Sequence, residues 1–164
     1  MLSSKTEEEN KIIDAELTRT NQKVSELSKK YGDKIENLRT ICSRFEEKVI
    51  QFGDKLIYLD FERFVHIYIR HVTETQVGDK YKEGSTVFQY KFKDIMRLVS
   101  AVLETAKDDI QAHFKSTPEE QYRRMGKRSI YYDGHYYRIE IDKDGRLMTF
   151  HPYNNNEEKN EDDN

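Results

Sequence analysis

Cys42 is the only cysteine in the 164 residues, which excludes an intrachain disulfide and a cysteine-based zinc site. No run approaches the ~20 apolar residues that a membrane span needs. Residues 1–25 are polar and lack an apolar core segment, so no Sec signal peptide is expected. Neither charge sign dominates. Lys and Arg total 28, Asp and Glu 31, and the net charge is −3. Bulk charge therefore does not advertise nucleic acid, and any such site has to be a local patch. Also absent are the Walker A loop, G-x-G-x-x-G, G-x-S-x-G and H-E-x-x-H. The apolar fraction, 35%, is low against the usual ~45–50%, and mean hydropathy is −0.96. One modest core with solvated flanks is the expectation. Eleven Tyr and eight Phe argue against disorder over the middle of the chain.

The charges fall in three blocks. Residues 1–53 carry ten basic and ten acidic side chains, and 54–153 carry seventeen and sixteen. Residues 154–164 carry one and five and lack apolar anchors, so they read as a disordered acidic tail. Proline is absent from 1–53. Leu17, Val24, Tyr31, Leu38, Phe45 and Phe52 lie seven apart, beside a weaker series at Ile13, Leu27 and Ile41. This predicts one or two helices over about 8–52, with Gly32-Asp33 as the break. The seam can serve a coiled-coil-like connector and self-association through 8–52, or simply pack on the body. Cys42, beside the seam, reads as a buried thiol.

The body, 54–153, is predicted to be α+β. Phe61, Phe64, Val65, Tyr68, Ile69 and Val72 keep helical spacing, with Asp60 as a candidate N-cap. His66 and Arg70 are i, i+4 neighbours on the opposite face, and His71 lies about 140° round from His66. Residues 73–88 form a long polar loop. A second helix runs from Phe92 to Leu103, and Pro118-Glu119-Glu120 opens a short third one over 118–124. From Ser129 the period switches to two. Asp133-Gly134 and Asp142–Gly145 mark the turns of an antiparallel meander that Pro152 stops. Two to three helices should pack on this sheet.

His66 and His71 have the wrong helical spacing to share a zinc ion, and Asp142/Asp144 read as solvated turn residues. What remains is His66, Arg70, His71, the Lys/Ser/Thr-rich loop, Thr149 and His151. This set suits metal-free RNA cleavage without a cofactor. One imidazole takes the 2′-OH proton, and a second acid protonates the leaving 5′-oxygen. Cations and hydroxyls hold the phosphate as charge builds. Plainer readings stand beside this one: a solvated helix face for His66 and Arg70, a helix-terminus cation for His71, ordinary strand positions for Thr149 and His151. His113 and His135 read as surface residues. Tyr131, Tyr132, Tyr136 and Tyr137 could stack bases, though alternation places half of them in the core.

Residues 60–153 resemble the barnase–EndoU–colicin–RelE (BECR) nuclease superfamily in its bacterial polymorphic-toxin and phage branches. The likeness rests on an ordered set. It comprises His66-Ile67-x-x-Arg70-His71, a polar loop with Thr75, Lys80, Lys82 and Ser85 before Phe88, Asp94-Ile95-x-x-Leu98-Val99, and the closing Arg146-Leu-Met-Thr149-Phe-His-Pro152. The resemblance implies a compact RNase toxin domain, often directed at tRNA and restrained by an immunity protein. It implies a catalytic role for His66, a phosphate ligand in Arg70, and a phosphate-contacting or catalytic hydroxyl in Thr149. His71 joins them as a candidate catalytic group, and Lys80, Lys82, Ser85 and His151 as candidate substrate contacts. The protein would act in the cytoplasm of a producing or target cell, any secretion using a specialised system or a larger polypeptide. A non-catalytic helical adaptor on a degenerate nuclease fold is the alternative. The nearly neutral body departs from the basic character frequent among nucleases.

Overall fold

A computed structural model describes residues 4–20, 22–51, 53–77, 87–88 and 90–153. The fold is α+β, with five α-helices and six antiparallel strands among these residues. The chain divides into two compact units, Met1–Glu46 with Phe61–Ser85, and Glu47–Asp60 with Thr86–Asn164. This does not follow a division at 53/54, because the helix bearing His66 groups with the lead.

The first unit is helical. It holds α1 (Ser4–Leu17), α2 (Val24–Ser43) and α3 (Phe61–His71). The break in the lead falls at 18–23 rather than at Gly32-Asp33, where α2 only kinks through the non-helical backbone of Tyr31. Both lead helices pack on α3. The seam residues Leu17, Tyr31, Leu38 and Phe45 are buried in this way, along with Ile13 and Leu27. Phe45 stacks on Phe64 with ring centroids 4.1 Å apart, and Phe64 leans on Tyr68 at 4.6 Å. Phe52 lies outside the described residues. Arg39 ties α2 to α1 through Asn10 (2.9 Å) and Asp14 (2.7 Å).

The segment after α3 folds back to satisfy the carbonyls that a helix end leaves orphaned. Thr75 Oγ1 donates to the Tyr68 carbonyl (2.6 Å), Val77 N–H to Ile69 (3.2 Å) and Gln76 Nε2 to Arg70 (2.9 Å). Thr75 is fully buried, so this position of the expected polar loop serves the helix terminus.

The second unit joins a hairpin, two helices and a sheet. Strands β1 (Lys48–Gln51) and β2 (Ile57–Leu59) pair antiparallel, so the lead ends in a strand rather than continuing as helix. Helix α4 (Ile95–Thr105) buries Ile95, Leu98, Val99, Val102 and Leu103. A further helix, α5 (Lys107–Ser116), buries Ile110 and Phe114, and the chain turns after it. Residues 122–124 are strand β3, not the expected third helix. The reason is Tyr122: it is fully buried, pairs with Ile141, and donates its hydroxyl proton to Asp109 Oδ2 at 2.7 Å.

The meander follows as the alternation predicts, with β4 (Ile130–Tyr132), β5 (His135–Ile141) and β6 (Leu147–Pro152). β5 is central. One edge carries β4 and then β3, the other β6. Asp133 and Gly134 both have positive φ, as a tight two-residue hairpin turn requires. Opposed residues share a sheet face. Tyr137, Ile139, Ile141 and Phe150 line the buried one, and Phe88 stacks on Tyr137 and Phe150. The other face carries Tyr136, Arg138 and Glu140 with their partners Tyr131, His151, Thr149 and Arg123. The β5–β6 turn meets the β1–β2 hairpin where Tyr58 N–H donates to the Gly145 carbonyl (2.9 Å) and Arg146 Nε to Asp60 Oδ2 (2.6 Å).

Candidate functional site

Chemistry-bearing side chains gather in two places, one in each unit. In the helical unit the centre is His66. Sequence periodicity places it on the polar face of α3, but it is only 8% exposed. The lead helices cover that second face, and α1 brings Glu16 against the imidazole. His66 Nδ1 lies 2.7 Å from Glu16 Oε1. Arg19 Nη1 lies 3.0 Å from the same oxygen and 3.1 Å from Nδ1. A guanidinium can only donate, so the Nδ1 proton goes to the carboxylate and Arg19 donates to Glu16. This fixes the tautomer and turns the Nε2 lone pair toward Arg70, whose Nη1 is 3.5 Å away. The expected His66–Arg70 adjacency is therefore present.

The electrostatics follow from this arrangement. Burial lowers the His66 pKa, the Arg63 and Arg70 charges lower it further, and the Glu16 hydrogen bond and charge offset only part of this. The imidazole is neutral near pH 7. Burial pushes the Glu16 carboxyl up, but the hydrogen bonds and charges of His66 and Arg19 outweigh it and hold the pKa low. An ionised carboxylate thus orients a neutral imidazole, as a general base requires. His71 is buried too, its ring edge-on to that of His66 at 6.3 Å between centroids. It therefore does not face solvent.

Thr149 and His151 belong to the sheet unit, on the face described above. The Thr149 hydroxyl hydrogen-bonds the Glu140 carboxylate directly across the β5–β6 pair. Glu140 is buried, and it also forms ion pairs with Arg123 Nε (2.6 Å) and Arg138 Nη2 (3.2 Å). Burial raises its pKa, yet Thr149 and the two guanidiniums outweigh that and lower it. His151 stands opposite Arg138, its Nδ1 donating to the Pro152 carbonyl at 2.9 Å. The site residues thus form two sets: His66, Arg70 and His71 on α3, and Thr149 with His151 on β6. Lys80, Lys82 and Ser85 lie outside the described residues.

Four participants escaped sequence reasoning: Glu16, Arg19, Arg63 and Glu140. Glu16 and Arg19 form an i, i+3 pair in a segment that the motif did not include. The one signal was that Glu16 directly precedes seam residue Leu17, at the edge of the buried stripe. Glu140 keeps the apolar–polar alternation of β5, a carboxylate between Arg138 and Asp142 in an ordinary polar-face pattern. His113 and His135 hold local backbone contacts, His113 with the Glu120 carbonyl (2.8 Å) and His135 with that of Asp133 (3.3 Å). Among the described residues, no three His, Cys, Asp or Glu side chains are grouped to hold a metal ion, and no helix is long and apolar enough to cross a membrane. Comparison with family models, curated proteins and solved structures finds no match for this chain.

Proposed function

We propose that the chain is a metal-independent endoribonuclease of toxin type that cleaves RNA by attack of the 2′-hydroxyl on the adjacent phosphate. The observation that carries this reading is the oriented pair, Glu16 holding His66 by Nδ1 with Nε2 facing Arg70. In the reaction His66 Nε2 takes the 2′-OH proton. The 2′-oxygen bonds to phosphorus, the P–O5′ bond breaks, and a second acid returns a proton to O5′. His71, within the same cluster, is the candidate for that acid. Arg70 and Arg63 stabilise the charge that builds on the phosphate oxygens. No cofactor enters these steps. The resemblance of 60–153 to toxin nucleases supports RNA, and tRNA in particular, as substrate, an immunity protein as partner, and the cytoplasm as the place of action.

The burial of Glu16 and His66 favours a second reading. As a clamp locking α1 to α3, the pair would suit a non-catalytic adaptor. One experiment separates the two. The full chain is incubated with tRNA and total RNA in EDTA, and RNA ends are sequenced. Cleavage leaving 2′,3′-cyclic phosphates is the expected result. His66→Asn keeps a side-chain N–H for Glu16 but no proton-accepting nitrogen. It should stay folded and lose ~10²–10⁴-fold of the activity. Unchanged cleavage by His66→Asn, or cleavage abolished by EDTA and restored by Mg²⁺, refutes the mechanism.

A further inference from the structure

The segment that joins β3 to β4 has a composition unlike the rest of the nearly neutral body. Residues 121–132 carry Arg123, Arg124, Lys127 and Arg128 and no Asp or Glu. Arg124 is taken up by Asp109, through Nε to Oδ2 at 2.8 Å. Lys127 and Arg128 are exposed on a 3₁₀ turn, Gly126–Arg128, and that turn is firmly held. Gly126 N–H donates to the buried Tyr153 hydroxyl (3.0 Å), Ser129 Oγ donates to the Gly126 carbonyl (2.7 Å), and Arg128 N–H donates to Met125 (3.0 Å). Gly126 sits at φ 58, a backbone value that a side chain would disfavour.

Beside the turn the sheet presents an aromatic step. Tyr131 is 56% exposed, one of the few large apolar side chains left in solvent. Its ring meets that of its cross-strand partner Tyr136 edge-on, 5.3 Å between centroids, which props it in place while more than half of it stays exposed. Further along the same face Arg123, with its side chain 56% exposed, and Arg138 share the single carboxylate of Glu140, so that group is net positive. Cations alternating with an exposed aromatic ring, on a backbone ordered before any ligand arrives, fit a strand that offers phosphates and unstacked bases together.

We infer that this edge of the sheet, Arg123, Lys127, Arg128 and Tyr131, binds single-stranded RNA, with phosphates on the three cations and a base on Tyr131. The inference rests on the ribonuclease reading and narrows it: the substrate is engaged through an unpaired stretch. A duplex buries its base faces and cannot use Tyr131.

The test uses the full chain and a fluorescent 2′-O-methyl single strand of about 12 nucleotides, within the usual range of single-strand site sizes. Such a strand has no 2′-hydroxyl to attack, so binding is read apart from cleavage. Anisotropy titrations run between about 50 and 200 mM KCl. Tyr131→Ala should weaken single-strand binding about 5- to 100-fold, and the duplex of the same sequence should be insensitive to it. Lys127→Gln with Arg128→Gln should flatten the salt slope by about 0.7 for each phosphate no longer neutralised. All three positions are exposed, so the variants should keep their circular dichroism. Parental affinity and salt slope in these variants overturns the inference, as does a duplex that binds as tightly as the single strand. A basic edge made for an acidic protein surface would give that same negative result. Binding that responds to the variants in a chain that cleaves no RNA would retain this surface and remove the catalytic proposal. Cleavage of ordinary RNA with variant-insensitive binding would do the reverse.

Discussion

The Glu16–His66 pair predicts a coupling energy that can be worked from its geometry. Both side chains are about 10% exposed, and the bond is 2.7 Å long with an ionised acceptor. A hydrogen bond to a charged group is worth about 1.5–3 kcal/mol, against about 0.5–1.5 kcal/mol between neutral groups. A double-mutant cycle of Glu16→Ala and His66→Ala, read by urea denaturation at pH 7.5, should therefore return a coupling of about 1.5–3 kcal/mol. Because the pair is shielded, raising the salt should change that little. The pH dependence has a definite sign. His66 has a folded pKa below its unfolded value of 6.5. The unfolded chain then takes up the proton first, so stability is full above 6.5 and falls as the pH drops from there toward the folded value. Glu16, also lowered, adds a loss that begins near 4.5 and continues through its folded value. His66→Asn should flatten the upper part of this profile and also shrink the lower part, because the His66 charge that helps hold Glu16 low is gone. A coupling below about 0.5 kcal/mol, the range of weak exposed pairs, would refute the buried, oriented pair and the catalytic reading with it.

Four further outcomes are expected. Burial raises the Cys42 thiol to about 12, so it should resist Ellman's reagent at pH 8 in the native chain and react once urea unfolds it. Labelling at the rate of a free thiol would contradict its burial. Gly145→Ala should destabilise by more than ~1 kcal/mol in urea melts, since Gly145 has φ +93 and an added Cβ would run into the Leu56 carbonyl oxygen. Phe45→Ala should cost about 3–5 kcal/mol, because the ring is buried and stacked on Phe64. By the same packing, a fragment beginning at residue 54 uncovers the lead-facing side of α3, and light scattering should show it aggregating. A monodisperse, folded fragment would contradict the helical unit.

The parts of this fold legible in sequence are those written in local chemistry. Asp133-Gly134 and Gly145 mark turns because positive φ favours such residues, and the β5 and β6 alternation is a one-face burial pattern. Helices α3 and α4 are visible because their apolar residues recur at helical spacing. The misread positions depend on distant partners. Tyr122 becomes strand because β5 offers Ile141 as a partner and Asp109 takes its hydroxyl, which outweighs the helix-start signal at Pro118. The site divides in the same way. The adjacency of His66 and Arg70 is a property of one helix and can be counted. The acid that orients His66 lies 50 residues upstream, and only the packing of α1 on α3 reveals it. No periodicity within 60–153 could have supplied Glu16.

The β1–β2 hairpin has a consequence for how the chain is made. Two strands alone are marginally stable in water. The residue that clasps this hairpin, Arg146, is 86 positions downstream of its partner Asp60. At a synthesis rate of roughly 5–20 residues per second, about 4–17 s pass between the emergence of the two. Throughout that interval the hairpin has no permanent neighbour from the meander, while α1, α2 and α3 can already assemble with one another. Its short strands and the charged Asp54-Lys55 beside the turn reduce the template it offers to other nascent chains. The β5–β6 turn arrives only after that interval, and its Gly145 carbonyl and Arg146 guanidinium then close on the hairpin.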